Sequence, residues 1–311
     1  MVKIDNNSKM DFAPVSLSDK ERYEALMRSD CGRGCEFSFA NLYLWGRQSI
    51  AFIHGQALLF SQFNRRSVYP YPVGAGDKRA ALDAIIADSR ERGIPCRITG
   101  LSECARELIE KEYPEKFRFH SDEDSFDYVY DINDLAELRG RAYQSKRNHI
   151  NRFKEARPSY KVEPISEENV DSVRKMLAEW YAERLAEDPD ADYKMEEIAL
   201  EKALRDYGKL GLEGLLISDG ERVLAFTIAS RMCEDTFDVH FEKAVSDVQG
   251  AYTVINRELA LYIREKYPEV KFLDREEDMG LEGLRRAKQS YHPHHLVKKY
   301  WACLLEEGYE Y

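Results

Sequence analysis

Four carboxylates fall within five residues near the end of the chain: Asp274, Glu276, Glu277 and Asp278. The apolar pair Phe272 and Leu273 runs into them, and Gly280 then opens a short helix whose basic side carries Arg285 and Lys288. Charge this dense is too costly to bury unpaired. Carboxylates so placed can take up a proton or hold an ammonium group, and Lys288 and Tyr291, three residues apart, would face the same cleft as oxyanion donor and phosphate contact. Two other readings stay open: internal pairing with Arg275, Arg285 and Lys288, and magnesium on so many oxygens. No metal site is assigned.

A second concentration of charge lies at the middle of the chain. Between Arg139 and Lys161 eight basic residues face one acid, Glu155, and the segment from Glu167 to Asp206 is acidic in turn. On a helical wheel Lys146, Ile150, Lys154 and Arg157 run up one side, with Arg147 beside them, which suits a helix at the rim of a cleft. Lys146, Arg147, Lys154 and Arg157 are therefore the candidate phosphate and nucleic-acid contacts, the alternative being a surface that pairs with the acidic segment. Phe37, Phe39, Tyr43 and Trp45 read first as core and second as a base-stacking wall. Cys31 and Cys35 form the one close cysteine pair, without the second pair that structural zinc needs, and Pro293 breaks the alignment of His292, His294 and His295.

Composition bounds the class. The 311 residues carry a net charge of −11 and are 43% hydrophobic, which describes an ordinary globular protein and argues against general polyanion or anionic-lipid binding. The start lacks the apolar core of a secretory signal, and no run approaches the roughly 20 apolar residues of a spanning helix. Six scattered cysteines without a framework fit reduced thiols, so a cytoplasmic location without an integral membrane segment is expected.

Patterning predicts an alternation of helices and strands. Ser18 with Glu21 reads as a capping box opening a helix to Met27, His54 and Gly55 turn between two strands, and the amphipathic helix from Asp77 to Glu91 stops at Gly93. After Pro158 come a strand, two helices, three antiparallel strands with Asp219 and Gly220 in the first turn, a helix from Ala251, a strand to Asp274, a short helix and a closing strand from Val297 to Leu304. The expected organisation is α/β (α+β), in two domains at residues 1–157 and 158–311.

The order of elements in the second half resembles the acyl-CoA N-acetyltransferase (GNAT) fold. That resemblance makes Gln249, Gly250, Ala251 and Tyr252, at the start of the helix, the counterpart of a pyrophosphate-binding loop. This chain has a single glycine there, no cation, and the acid Asp247 in front, which departs from the usual pattern. Three further blocks are similar to the C-terminal, catalytic-type domain of phosphatidylglycerol lysyltransferases. They are Glu36 to Trp45, the helix with Arg147, Asn148, Ile150, Arg152 and Phe153, and Arg275 to Pro293 with Gly280, Gly283, Leu284, Arg285, Lys288, Ser290 and Tyr291.

The resemblance implies two tandem GNAT-like domains, each a mixed, mostly antiparallel sheet flanked by helices, as in the Fem-type transferases. It implies transfer of an aminoacyl group from aminoacyl-tRNA to an amine or hydroxyl, on a small-molecule or peptide acceptor, with no tightly bound cofactor. The tRNA acceptor end would then lie on the basic helix, and Glu276, Glu277 or Asp278 would hold or deprotonate an ammonium. An acyl-CoA-dependent N-acyltransferase and a noncatalytic binding module on the same fold remain the alternatives.

Overall fold

Local chemistry sets the element boundaries. Asp77 accepts a hydrogen bond from the Ala80 amide at 3.0 Å and starts a helix that Gly93 ends in the left-handed region at φ 66°. The His54 and Gly55 pair turns one hairpin with φ of 50° and 71°. The first helix is capped earlier than its sequence predicts, by Ser16 and Asp19 at 2.8 Å, with a tight turn ahead of it.

The structure, a computed structural model, describes residues 10–28, 34–63 and 66–305. Cys31, half of the close cysteine pair, lies outside the described residues. Two compact units divide the chain: 1–126 with 297–311, and 127–296.

In the first unit the order is β1 (Ala13–Pro14), α1 (Lys20–Met27), α2 (Phe39–Trp45), β2 (Gln48–Ile53), β3 (Gln56–Phe63), β4 (Arg66–Pro70), α3 (Lys78–Arg92), β5 (Arg97–Leu101), α4 (Glu103–Glu112) and β6 (Phe117–Ser121). The second unit holds β7 (Asp127–Asp131), α5 (Ile132–Glu137), α6 (Gln144–Ala156), β8 (Lys161–Pro164), α7 (Val170–Glu187), α8 (Lys194–Arg205), α9 (Tyr207–Leu210), β9 (Leu212–Asp219), β10 (Arg222–Arg231), β11 (Thr236–Ala244), α10 (Ala251–Lys266), β12 (Phe272–Asp274), α11 (Glu282–Gln289) and β13 (His295–Val297). The chain then returns to the first unit with β14 (Tyr300–Leu304).

Each unit is built on a seven-stranded mixed sheet, ordered β1-β2-β3-β4-β5-β14-β6 in the first and β13-β7-β12-β11-β10-β9-β8 in the second. Strands β4 and β5 run parallel in one sheet, β11 and β12 in the other, and the remaining described pairs are antiparallel. This is the mixed, mostly antiparallel architecture that the family resemblance implies.

The boundary drawn at 157/158 falls inside the second unit. Strand β7 hydrogen-bonds to β12 through Leu273↔Tyr130, so the segment carrying the basic helix belongs to the second sheet. The single closing strand predicted from Val297 to Leu304 is divided: β13 joins the second sheet, and β14 lies between β5 and β6 in the first. Such pairings are non-local and leave no local trace in the sequence.

The core of the second unit sits between α10 and its sheet. Val254, Ile255, Leu259, Ala260 and Ile263 of α10 are fully buried, as are Ala225, Phe226 and Ile228 of β10. Strand β10 is buried from Val223 to Ser230 without alternation, as befits a central strand covered on both faces.

Candidate active site

The second sheet opens into a fork. Strands β11 and β12 share three pairs, Thr236↔Phe272, Phe237↔Leu273 and Asp238↔Asp274, and then part. On one side the chain after Asp274 stays with β7: Arg275 donates its amide to the Tyr128 carbonyl at 3.0 Å, and Tyr128 returns one to Glu276 at 3.1 Å. On the other side β11 continues along β10, where the register skips from Val239 to Phe241 and leaves His240 as an extra, bulged residue. A bulge bends its strand and re-aims its side chains, which is why bulges collect at sites.

Polar residues line the opening. Arg275 donates to Glu242 at 2.9 Å, and Asn256 of α10 reaches the other Glu242 oxygen at 3.4 Å. The Arg275 guanidinium lies 5.2 Å from the Tyr291 ring centre and 5.7 Å from that of Tyr130. Lys146, from α6, enters on the same tyrosine: its ammonium stands 3.6 Å from the Tyr291 ring centre and donates to Ser290 at 2.7 Å. Burial, reinforced by the nearby Arg275, lowers the Lys146 pKa to about 8 against the opposing pull of Glu242.

The acidic turn divides by role. Asp278 is fully buried and accepts from Tyr128 at 2.7 Å, from Arg285 at 2.7 and 3.0 Å, and from the Gly280 amide at 2.9 Å. The Arg285 hydrogen bond is the main influence holding its carboxyl well below the usual range. Lys288 is also buried; it donates to the carbonyls of Arg275 and, at 3.3 Å, Glu276, and desolvation lowers its pKa. These two residues pin the turn from inside: Arg285 pairs with Asp278 as the internal-pairing reading expects, whereas Lys288 donates to carbonyls and Arg275 to Glu242. Glu276 is different: it sits at φ 60°, its amide held by Asp274 at 2.8 Å, and its side chain, 23% exposed, points to His240 at 3.7 Å. Glu277 is half-buried in the same turn. Tyr291 is buried, which raises its pKa.

The basic helix does not present one cationic face. Lys146 is turned into the fork, and Arg147 donates to the carbonyls of Leu138 and, at 2.7 Å, Gly140, tying down the loop between α5 and α6. Lys154 is exposed and Arg157 half-buried at the helix end. Arg147, Lys154 and Arg257 do line one cavity of about 220 Å³, together with Gln144 and Asn151.

The loop expected to cradle a nucleotide is packed rather than open. A Cβ on Gly250 would lie 2.8 Å from the His149 carbonyl oxygen and 3.3 Å from the Phe153 Cβ, both on α6. Gly250, at φ 88°, is needed for this close approach of two helices. Gln249 is exposed, Ala251 buried and Tyr252 partly exposed. In the first unit Phe37 and Phe39 are buried, with Phe39 against Tyr23 at 6.0 Å, as the core reading expects, whereas Tyr43 and Trp45 are only half-buried.

Sequence reasoning missed Asp238, His240, Glu242 and Asn256. The signal was present: three ionisable residues at every second position of a predicted strand, where a buried strand normally carries apolar ones.

The solved structure of FemX matches this chain with a TM-score of 0.61, at 12% identity, covering 95% of this chain and 98% of that one. The fold is therefore that of FemX. A family model described as phosphatidylglycerol lysyltransferase, C-terminal, matches residues 32–303, and the chain belongs to that family. The C-terminal domain of a putative lysylphosphatidylglycerol synthetase from Agrobacterium fabrum is 15% identical, with a TM-score of 0.69 over 94% of this chain and 93% of that one. A conserved protein of unknown function from Bacteroides thetaiotaomicron is 35% identical, with a TM-score of 0.90 over 95% of this chain and all of that one. An uncharacterized protein of Mycoplasmoides gallisepticum is 26% identical over 182 residues, 57% of this chain; the match spans 56% of that relative. No helix among the described residues is long and apolar enough to cross a membrane.

Proposed function

We propose that the fork of the second unit transfers an aminoacyl group from aminoacyl-tRNA to an amine or hydroxyl on a small-molecule or peptide acceptor. The observation that carries this reading is the convergence of Lys146, Arg275, Glu242 and Tyr291 between the parted ends of β11 and β12. An aminoacyl ester is already activated, so catalysis reduces to alignment, charge stabilisation and one proton transfer. The acceptor atom bonds to the carbonyl carbon and the ester bond to the terminal ribose breaks. The acceptor's proton passes to neutral Lys146, whose pKa near 8 makes that form accessible, and then to the departing ribose oxygen. Arg275 stabilises the negative charge on the carbonyl oxygen, and Glu276, on the exposed side of the turn, holds the α-ammonium. The cavity edged by Lys154, Arg147 and Arg257 takes a phosphate of the acceptor end.

The packing of α6 over Gly250 weighs against the acyl-CoA alternative, because the helix start that would cradle a pyrophosphate is engaged by another helix. The test is binding of bulk aminoacylated tRNA and of acetyl-CoA across a salt titration, followed by loss of charged tRNA when a small-molecule cell extract is added. Salt-sensitive tRNA binding is expected, weakened by Lys154→Ala, with Lys146→Met leaving binding intact but stopping the loss of charged tRNA. Saturable acetyl-CoA binding without tRNA binding would overturn the reading.

A further inference from the structure

Beside the fork lies a cluster that shares one residue, Glu276, with the reaction proposed above. His240 is completely enclosed at its side chain, and its Nε2 lies 2.8 Å from the Ser230 hydroxyl. Its Nδ1 makes no hydrogen bond, although it stands 3.3 Å from an Asp238 oxygen and 3.7 Å from a Glu276 oxygen. In the tautomer that carries the ring proton on Nε2 and donates it to Ser230, Nδ1 is available to a cation beside the two carboxylates.

We propose that Asp238, His240 and Glu276 bind one divalent transition-metal ion of the zinc type. Their ligand atoms all lie within 4.8 Å of one another. Zinc bonds of about 2.0–2.2 Å in tetrahedral geometry set neighbouring donors about 3.4 Å apart, and the two histidine–carboxylate separations, 3.3 and 3.7 Å, bracket that value. One imidazole and two carboxylates suit zinc or iron better than magnesium or calcium, which take oxygen alone. Two carboxylates also neutralise a divalent ion, so the loaded cluster carries no net charge. Ser230 holds the ring in place, as partners behind a metal-binding histidine commonly do. Three protein donors leave a fourth position open on the side where Glu276 is 23% exposed. The strain at Glu276, held at φ 60° by the Asp274 carboxylate, sets that ligand in place before any ion arrives.

The experiment uses the full-length chain, stripped with chelator and titrated with Co²⁺ as a coloured stand-in for zinc, read by visible absorption and by the shift in melting temperature. One equivalent is expected, with the intense bands of a four-coordinate ion and a raised melting temperature. His240→Ala and Glu276→Gln should abolish both, and Ser230→Ala should weaken affinity by roughly 10-fold to 100-fold. His294 and His295, exposed and 2.9 Å apart between ring nitrogens, are the obvious adventitious site. Binding that survives His240→Ala and Glu276→Gln in folded protein, or that disappears in His294→Ala with His295→Ala, would overturn the proposal. So would absence of any binding at millimolar Co²⁺. Each readout is independent of aminoacyl transfer, so failure of that reaction leaves this result standing.

Discussion

Glu242 and Arg275 form an ion pair at 2.9 Å across the point where their strands have stopped pairing, with side chains 11% and 15% exposed. The pair spans the fork where backbone hydrogen bonds no longer do. Arg275 is the pivot of the cluster, shared between Glu242 on β11 and the rings of Tyr130 and Tyr291.

Removing one member of such a pair strands the other charge in a buried setting, at a cost of about 3–5 kcal/mol. Arg275→Met and Glu242→Gln should each lower stability by about 3 kcal/mol in urea unfolding, and the double variant should lose less than their sum. Strict additivity would show that the two charges do not support one another.

Lys146 makes a pH prediction with a definite sign. Its folded pKa of about 8 lies below the ordinary lysine value of 10.5, so between those pH values the unfolded chain keeps a proton the folded chain has released. Stability rises with pH wherever the unfolded state binds more protons. Relative to Lys146→Met, the wild-type protein should therefore gain stability from pH 8 to 10.5 and lose it as pH falls through 8. Urea midpoints of both proteins at pH 7 and pH 10 test this, and a constant difference rejects it.

Gly250→Ala separates packing from nucleotide binding. The new methyl group would meet the His149 carbonyl oxygen at 2.8 Å, at a φ that side chains rarely adopt. A loss of about 2 kcal/mol is expected in thermal unfolding, with affinity for acetyl-CoA unchanged. A variant that melts like wild type but binds acetyl-CoA less tightly would restore the loop to a nucleotide role.

What the sequence revealed was what neighbouring residues decide. Asp77 and Gly93 bound a helix, and His54 with Gly55 turns a hairpin, because each acts on its own backbone. The acidic turn was conspicuous as composition, yet which acid is spent internally depends on Tyr128, which lies 150 residues from Asp278 in the chain. The helical wheel placed Lys146 beside Arg147 without showing that one enters the fork and the other grips a loop. Asp238, His240 and Glu242 were read only as a strand, since their meaning comes from the parting of β11 and β12, and that parting is a property of the sheet.

Strand β14 has a consequence for how the protein is made. It fills a place between β5 and β6, yet the ribosome delivers it after every element of the second unit. Until then the growing chain carries two open strand edges where one continuous sheet will later stand, the kind of edge that invites mispairing with other chains. The first unit, although translation starts it first, is the one that must wait to be finished.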